Sequence, residues 1–389
     1  MSTLRPPPAA AHARTDSVPT PLAKLLAAQI AASGPITFAE FMRACLYHAE
    51  HGYYSRLDAL RAADYFTSVD AHHIFGRLLA RQLVEMWREM GAPDEFWLVE
   101  CGAGTGRLAA QILDFAAREF GDFYAAVRYC AVEISAARRG EHVAALARHI
   151  AAGRARSSAE LPLEIPAGVI FSNELLDALP VNRVVRVGGE LREIYVAVES
   201  GRLIEITGAI STPALAEYFR EQGIELAEGQ EAEVGLEAAY WIEAAGRRLG
   251  RGFVLTVDYG YAARELYDAR RARGTLLAYQ RHRTAEDWLR GPGEQDLTAH
   301  VNFTSLEIAG RRAGLAALGL VSQSHFLLAL AGANQLADFE DEGAGEAERY
   351  RARLAFQTMI HPDGMGEAFR VLVQEKGAGR ARLTGLSPI

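Results

Sequence analysis

FWLVECGAGTGRLAAQIL, spanning Phe96–Leu113, is the stretch whose reading decides the fold. An apolar and aromatic run ends in an acid, passes a Gly-x-Gly-x-Gly turn and resumes with helical spacing. That order predicts strand, tight turn and helix, the opening of a nucleotide-type βαβ unit. Glycines suit the turn because, without a Cβ, the backbone can bend sharply and approach a ligand closely.

Outward from this turn, strands and helices alternate. Val127–Ile134 reads as a second strand, Gly168–Phe171 as a short buried one and Gly252–Val257 as another. Two-sided apolar runs of this kind fit the interior of a parallel sheet. A helix at about 305–318 and strands at 320–329 and 369–374 follow, while residues 212–250 read as mainly helical. Asn182–Val198, with Gly188-Gly189, predicts a hairpin. Upstream, Leu22, Leu25, Leu26 and Ile30 mark one helix, and Thr37 with Glu40 predicts a capping box opening a second. The expected fold is α/β: a doubly wound, seven-stranded Rossmann-like sheet with a helical N-terminal part and an inserted lobe. Residues 1–21 read as a disordered tail, 22–93 as the helical region and 94–389 as the core, with insertions at about 199–250 and 261–303.

Composition bounds the function classes. The chain has 389 residues, half of them hydrophobic, and a formal net charge of −8. Such a balance argues against nucleic acid as partner, since binders usually show a basic stripe. Lys24 and Lys376 are the only lysines among 41 basic residues, a bias that points to genomic composition. Cys45, Cys101 and Cys130 form no C-x-x-C pair, which fits a reducing compartment and neither a disulfide framework nor a zinc site. No apolar run approaches the roughly 20 residues a membrane span needs, and the N-terminus lacks an apolar signal region. The expected location is the bacterial cytoplasm.

Ligands in doubly wound sheets bind beyond the carboxyl ends of the strands, near the point where strand order reverses. Four polar clusters fall at strand ends: Glu100–Gly106, Glu133, Asn173–Asp177 and Asp258–Gly260. A dinucleotide fingerprint needs a glycine where Arg107 stands. The compact spacing Gly102, Gly104, Gly106 after Glu100-Cys101 instead resembles motif I of class I methyltransferases that use S-adenosylmethionine. This cofactor has no pyrophosphate to seat, but requires room for a zwitterionic tail and an acid for the ribose hydroxyls. Glu133, followed by Ile134, is placed for the ribose, because a carboxylate accepts two hydroxyl donors. The expected cofactor contacts are Glu100, Gly102, Gly104, Gly106, Glu133, Ile134 and Asn173.

After the third core strand comes SNELLDALP, residues 172–180. Asn173, Glu174 and Asp177 are the candidate catalytic residues, since a carboxylate can hold a guanidinium in bidentate fashion and leave one nitrogen facing the methyl donor. The competing reading makes Ser172 or Asn173 a helix N-cap with Glu174 favoured by the helix dipole. His72-His73, His282, His300 and His361 lack metal-ligand spacing, so no metal is expected, although His300 remains a candidate base. Tyr53, Tyr54, Tyr65 and Phe66 read as packing for the helical region, or else as a flap over the cofactor with Thr67 or Ser68 supplying a hydroxyl.

The segments GPITFAEFM, DYFTS, VECGAGTGRLA, FSNELLDALPV, DYGY, GTLLAY, DLTAHVNF and HPDGMGEAFRVL, in collinear order over roughly residues 22–375, resemble the MidA-like methyltransferases. That family includes the mitochondrial assembly factor of respiratory complex I that methylates an arginine of a complex I subunit. The resemblance implies S-adenosylmethionine as methyl donor and a protein arginine as acceptor, with a respiratory-complex subunit as one candidate partner. It also implies that Gly102 and Gly104 line the cofactor, Glu133 holds its ribose and Asn173-Glu174 face the reacting groups. SNELL is similar to the acidic loop of type II protein arginine methyltransferases, which makes Glu174 the substrate clamp and Asp177 the candidate second acid. Leu277 and Asn302 depart from the arginine and aspartate that relatives commonly carry there. A small-molecule acceptor of the same fold and a non-catalytic assembly factor are the other readings, and a homodimer is the expected oligomer.

Overall fold

The computed structural model describes residues 19–55, 72–280, 283–285, 287–333, 339, 345–379 and 381–388. The expected tail lies outside these up to residue 18, as do Tyr65, Phe66, Thr67, Ser68 and His282. The chain divides into two compact units, each assembled from three segments. Residues 1–65, 177–239 and 261–305 make the first, and 66–176, 240–260 and 306–389 the second. The boundaries expected from sequence group differently, because Ile74–Glu89 packs in the second unit and Pro21–Ser33 in the first.

The second unit is built on strands β1 (Phe96–Cys101), β2 (Val127–Val132), β3 (Ala155–Ser158), β4 (Ile165–Asn173), β5 (Leu249–Tyr261), β6 (Ala316–Ser322) and β7 (Phe369–Lys376). Their order in the sheet is β6-β7-β5-β4-β1-β2-β3. β1 to β5 run parallel, and β7 lies antiparallel to both β5 and β6. From β1 the chain moves to β2 and β3 on one side, then returns to β4 and β5 on the other. The reversal therefore falls between β1 and β4, where a doubly wound sheet opens its ligand crevice. Phe96, Leu98, Val169, Phe171, Phe253 and Leu255 are fully buried against apolar helix positions such as Leu79, Leu83, Ile112 and Leu113.

Two expectations need correction, and two short strands were not expected. The stretch 320–329 is not one strand: β6 ends at Ser322, whose hydroxyl accepts the His325 N–H, and Gln323–Ala333 is a helix. The helix buries one face through Phe326, Leu327, Leu330 and Ala331, but apolar Leu328 and Ala329 stand on its less buried side and conceal the helical periodicity. The helix at about 305–318 is Phe303–Arg312 and gives way to β6. Between 212 and 250, strand Glu231–Val234 separates helices Ala214–Gln222 and Leu236–Arg248. The polar edge strand β3 has no apolar run to announce it.

The first unit has a five-stranded sheet in which Asn182–Val187 and Glu190–Glu199 form the expected hairpin. Gly188 and Gly189 supply its two left-handed residues, with φ of 63° and 79°. Thr37 and Glu40 make the expected capping box on Phe38–Tyr47. The core of this unit gathers Phe38, Phe41, Met42, Val196 and Trp288, and a second cluster gathers Val184, Leu215, Phe219 and Tyr267. Among the described residues no helix is long and apolar enough to cross a membrane. All three cysteines are buried and unbridged.

Candidate active site

At the carboxyl end of β1 the glycine turn takes the conformation its composition demands. Gly102, Gly104 and Gly106 have φ of 74°, 53° and 80°, a region open to glycine at little cost. Gly102 and Ala103 donate their N–H groups to the Val132 carbonyl at 2.9 and 3.0 Å, fastening the turn to the end of β2. A Cβ on Gly102 would meet Leu175 Cδ1 at 3.0 Å, so the missing side chain also seats the segment after β4. A Cβ on Gly104 would meet nothing within 4 Å, so open space lies beside the middle of the turn.

Glu133 follows β2. Its Oε2 accepts the Gly104 N–H at 3.0 Å and its Oε1 accepts the Ser135 N–H at 2.8 Å. Ile134 beside it is 68% exposed. Glu100, by contrast, is turned into the sheet, where its buried carboxyl accepts the Tyr129 hydroxyl at 2.6 Å. Burial pushes its pKa up to about 8; the Tyr129 hydrogen bond opposes this and the Glu133 charge adds to it.

His142 is a residue that sequence reasoning missed. It is fully buried under the turn, with Nε2 at 2.9 Å from the Gly104 carbonyl and Nδ1 at 2.8 Å from Ser157 Oγ. A carbonyl only accepts, so Nε2 carries the proton. The signal was faint: a single histidine in the helix Ala136–Ala145, whose partners come from two other elements.

Beyond β4 no helix follows, which removes the N-cap reading of Ser172 and Asn173. Glu174 instead has φ of 53° and donates its N–H to the Val257 carbonyl at 3.0 Å. Asn173 Nδ2 donates to Glu174 Oε1 at 3.0 Å. The neighbouring parallel strand β5 contributes Asp258, fully buried. Its Oδ2 accepts N–H groups from Leu175 at 3.1 Å and Leu176 at 2.7 Å, and its Oδ1 accepts that of Tyr259 at 2.9 Å. Burial raises the Asp258 pKa to about 7 against those hydrogen bonds, and the Glu174 charge raises it further.

The second unit thus brings together Glu100, Gly102, Gly104, Gly106, Glu133, Ile134, Asn173 and Glu174, while Asp177 belongs to the first unit. Asp177 is buried there, and its carbonyl accepts the Ala299 N–H at 3.0 Å. Also in the first unit, His300 donates its backbone N–H to Thr275 Oγ1, and burial lowers its ring pKa to about 4, aided by the Arg271 charge. At neutral pH that ring is uncharged. Tyr54 donates to Asp296 at 2.8 Å and meets Tyr53 edge to face, as packing residues do.

Asn302 has a structural account. Its Oδ1 accepts the Ser305 N–H at the start of helix Phe303–Arg312, and its Nδ2 donates to Gln222 Oε1 at 2.7 Å. Leu277 lies on strand Leu277–Gln280 opposite Thr298. His72, His73 and Glu348 cluster in the second unit. His72 Nδ1 accepts the Ile74 N–H, so in the neutral ring Nε2 holds the proton, which it donates to Glu348 at 2.9 Å. His73 Nδ1 lies 3.7 Å from the same Glu348 oxygen, so the three groups stand within metal-ligand reach of one another, an arrangement the sequence spacing did not announce.

The site fits S-adenosylmethionine on two observations. Space lies open beside Gly104, and Asn173 Oδ1 is a buried acceptor with no donor among the described residues. An ammonium or amine donor would satisfy it.

Known proteins agree with this chemistry. Residues 78–321 match the family model described as "Putative S-adenosyl-L-methionine-dependent methyltransferase". A Burkholderia thailandensis protein whose crystal structure holds S-adenosyl-homocysteine is 32% identical, with a TM-score of 0.83; the match covers 95% of this chain and 97% of that one. The mitochondrial "Protein arginine methyltransferase NDUFAF7 homolog" of Drosophila melanogaster is 29% identical, covering 96% of this chain and 89% of its own. The mitochondrial protein arginine methyltransferase NDUFAF7 of Homo sapiens is 27% identical, covering 90% and 82%. With its β1 turn, its sheet order and a family match over more than half its length, the chain belongs to this family of S-adenosyl-L-methionine-dependent methyltransferases.

Proposed function

We propose that the chain methylates a guanidinium nitrogen of an arginine side chain in a protein. The observation that carries this reading is the conformation of Glu174. A left-handed backbone costs a residue with a Cβ roughly 1–2 kcal/mol, and such strain persists where surrounding contacts over-determine it, most often at functional sites. Here the strain sets an acid just beyond the sheet, with the Asn173 amide holding one carboxylate oxygen. The relatives named as protein arginine methyltransferases support a cationic acceptor.

When bound, S-adenosylmethionine supplies an electrophilic methyl group on a sulfonium. Gly102, Gly104 and Gly106 would line it, Glu133 would accept its ribose hydroxyls and Ile134 would offer apolar surface to the adenine. Asn173 Oδ1 would accept its ammonium. Glu100, facing Tyr129, would act by seating the turn. Glu174 would hold the acceptor guanidinium, localise its charge and leave one nitrogen facing the methyl group. Methylation of that nitrogen would release a proton, for which a carboxylate of this segment would be the acceptor. Asp177, three residues on, is the candidate second acid.

Further parts of the proposal are a bacterial cytoplasmic setting, a homodimer and a respiratory-complex subunit as acceptor. The arginine-dominated basic composition and the Burkholderia structure favour the first; the last rests on the family resemblance of the sequence segments.

Glu174→Gln tests the central claim. Labelled methyl transfer into lysate proteins of the source organism should fall about 100-fold, while S-adenosyl-homocysteine affinity by calorimetry stays near that of the native chain. Collapse of that affinity would place Glu174 in the cofactor site and overturn its role. Label found only in small molecules would exclude a protein acceptor.

A further inference from the structure

We propose that Asp258 is a positioning residue that sets the acceptor-holding geometry of Glu174. The inference rests on the reading of Glu174 given above and extends it to a residue on a different strand. Glu174 has the conformation of a turn, yet no helix or ladder follows it to supply hydrogen bonds to the next two N–H groups. Those groups, on Leu175 and Leu176, both end on Asp258 Oδ2, while Oδ1 is fixed by the N–H of Tyr259.

A carboxylate is a costly way to satisfy backbone donors in a buried place. Asp258 is fully buried, and burial together with the nearby Glu174 charge raises its pKa against the N–H groups it accepts. Two features explain why a neutral acceptor would not serve as well. A carboxylate can accept from both sides at once, so one side chain holds three N–H groups, two after Glu174 and one at its own strand end. Above about pH 7, where Asp258 is ionised, the bonds are also charge-assisted, hence stronger and shorter than neutral ones, and the one to Leu176 is 2.7 Å.

The Val257 carbonyl, one residue before Asp258, accepts the N–H of Glu174 itself. Consecutive residues of β5 therefore hold consecutive N–H groups at 174, 175 and 176. Leu175 in turn packs where Gly102 has no side chain. Displacing the loop would move Glu174 relative to the glycine turn, and methyl transfer is sensitive to misplacement on the scale of 1 Å.

The experiment uses the full chain with Asp258→Asn. Its single carbonyl oxygen can keep the Leu175 and Leu176 bonds, but its amide then opposes the Tyr259 N–H. The expected result is S-adenosyl-homocysteine affinity within about threefold of the native chain, an unchanged KM for S-adenosylmethionine, and an initial rate of labelled methyl transfer into lysate proteins at least about tenfold lower. A rate within about twofold of native would overturn the proposal. So would a parallel loss of affinity and rate, since Asp258 would then be holding the sheet rather than the loop. Should the asparagine variant not fold, Asp258→Glu is measured in the same way: it keeps charge and acceptors but moves them by one methylene, and the same split is expected. Glu174→Gln, run alongside, separates the two claims. If it transfers methyl groups at the native rate, the clamp itself is wrong; if it is inactive while Asp258→Asn is fully active, only the positioning role is wrong.

Discussion

Among single residues, two buried acids give the protein a pH signature. Burial raises the pKa of Glu100 from 4.5 to about 8 and of Asp258 from 3.8 to about 7. Between those limits the folded chain retains protons that the unfolded chain has released, so stability from these groups grows as pH falls and is lost as it rises. His300 acts in the opposite sense: its pKa drops from 6.5 to about 4, so stability is lost as acid is added below 6.5. Between about pH 5 and 6.5 the two acids outweigh the histidine, and above 6.5 they act alone, so the midpoint of urea unfolding should fall as pH rises from about 5 to 8. Glu100→Gln, which preserves an acceptor for the Tyr129 hydroxyl, should flatten the alkaline decline. An unchanged slope would mean that Glu100 is ionised in the folded chain.

Within elements, boundary residues explain more than interiors. Thr37 with Glu40, Gly188 with Gly189, and Ser322 each mark a boundary that a local rule can identify. Asn302 belongs with them, since it caps Phe303–Arg312 by accepting from Ser305 while donating to Gln222. Asn302→Ala removes a cap worth about 1 kcal/mol and strands a partner at a comparable cost. The expected loss is ~1–2 kcal/mol in denaturant unfolding, with S-adenosyl-homocysteine affinity retained. If affinity falls instead, the departure from the family's aspartate bears on the site rather than on the helix.

Over the whole molecule, the residues proposed for the cofactor and for the acceptor clamp, Asp177 apart, lie in the unit made from 66–176, 240–260 and 306–389. A ligand that binds only the folded state at 100 times its Kd stabilises by about 2.7 kcal/mol. Hydrogen exchange with saturating S-adenosyl-homocysteine should slow at 102–106, 133–135 and 173–176, where turn and strand-end amides meet. Strands such as Glu190–Glu199 of the other unit should exchange as before. Protection confined to that other unit would refute the placement of the cofactor at the β1 turn.

Much of this was legible in one dimension. The glycine spacing, the acid ending β2 and the SNELL segment each follow from what local backbone or a single side chain must do. They identified the sheet and the cofactor class without coordinates. The roles of Glu100, His142 and Asp258 were not legible in this way. Glu100 reads as a site acid until Tyr129, 29 residues away, is seen to take its carboxyl into the sheet. His142 has no neighbour in sequence that explains it, because Gly104 and Ser157 come from 38 and 15 residues away. Asp258 meets Leu175 and Leu176 across 83 and 82 residues. The sequence by itself determined the turn, the strand order's starting point and the methyl-donor class, because those depend on periodicity and local sterics. Only the tertiary structure decided which polar side chains turn into the sheet and which hold the backbone at the strand ends, because the partners of a buried polar group are set by packing between elements distant in the chain.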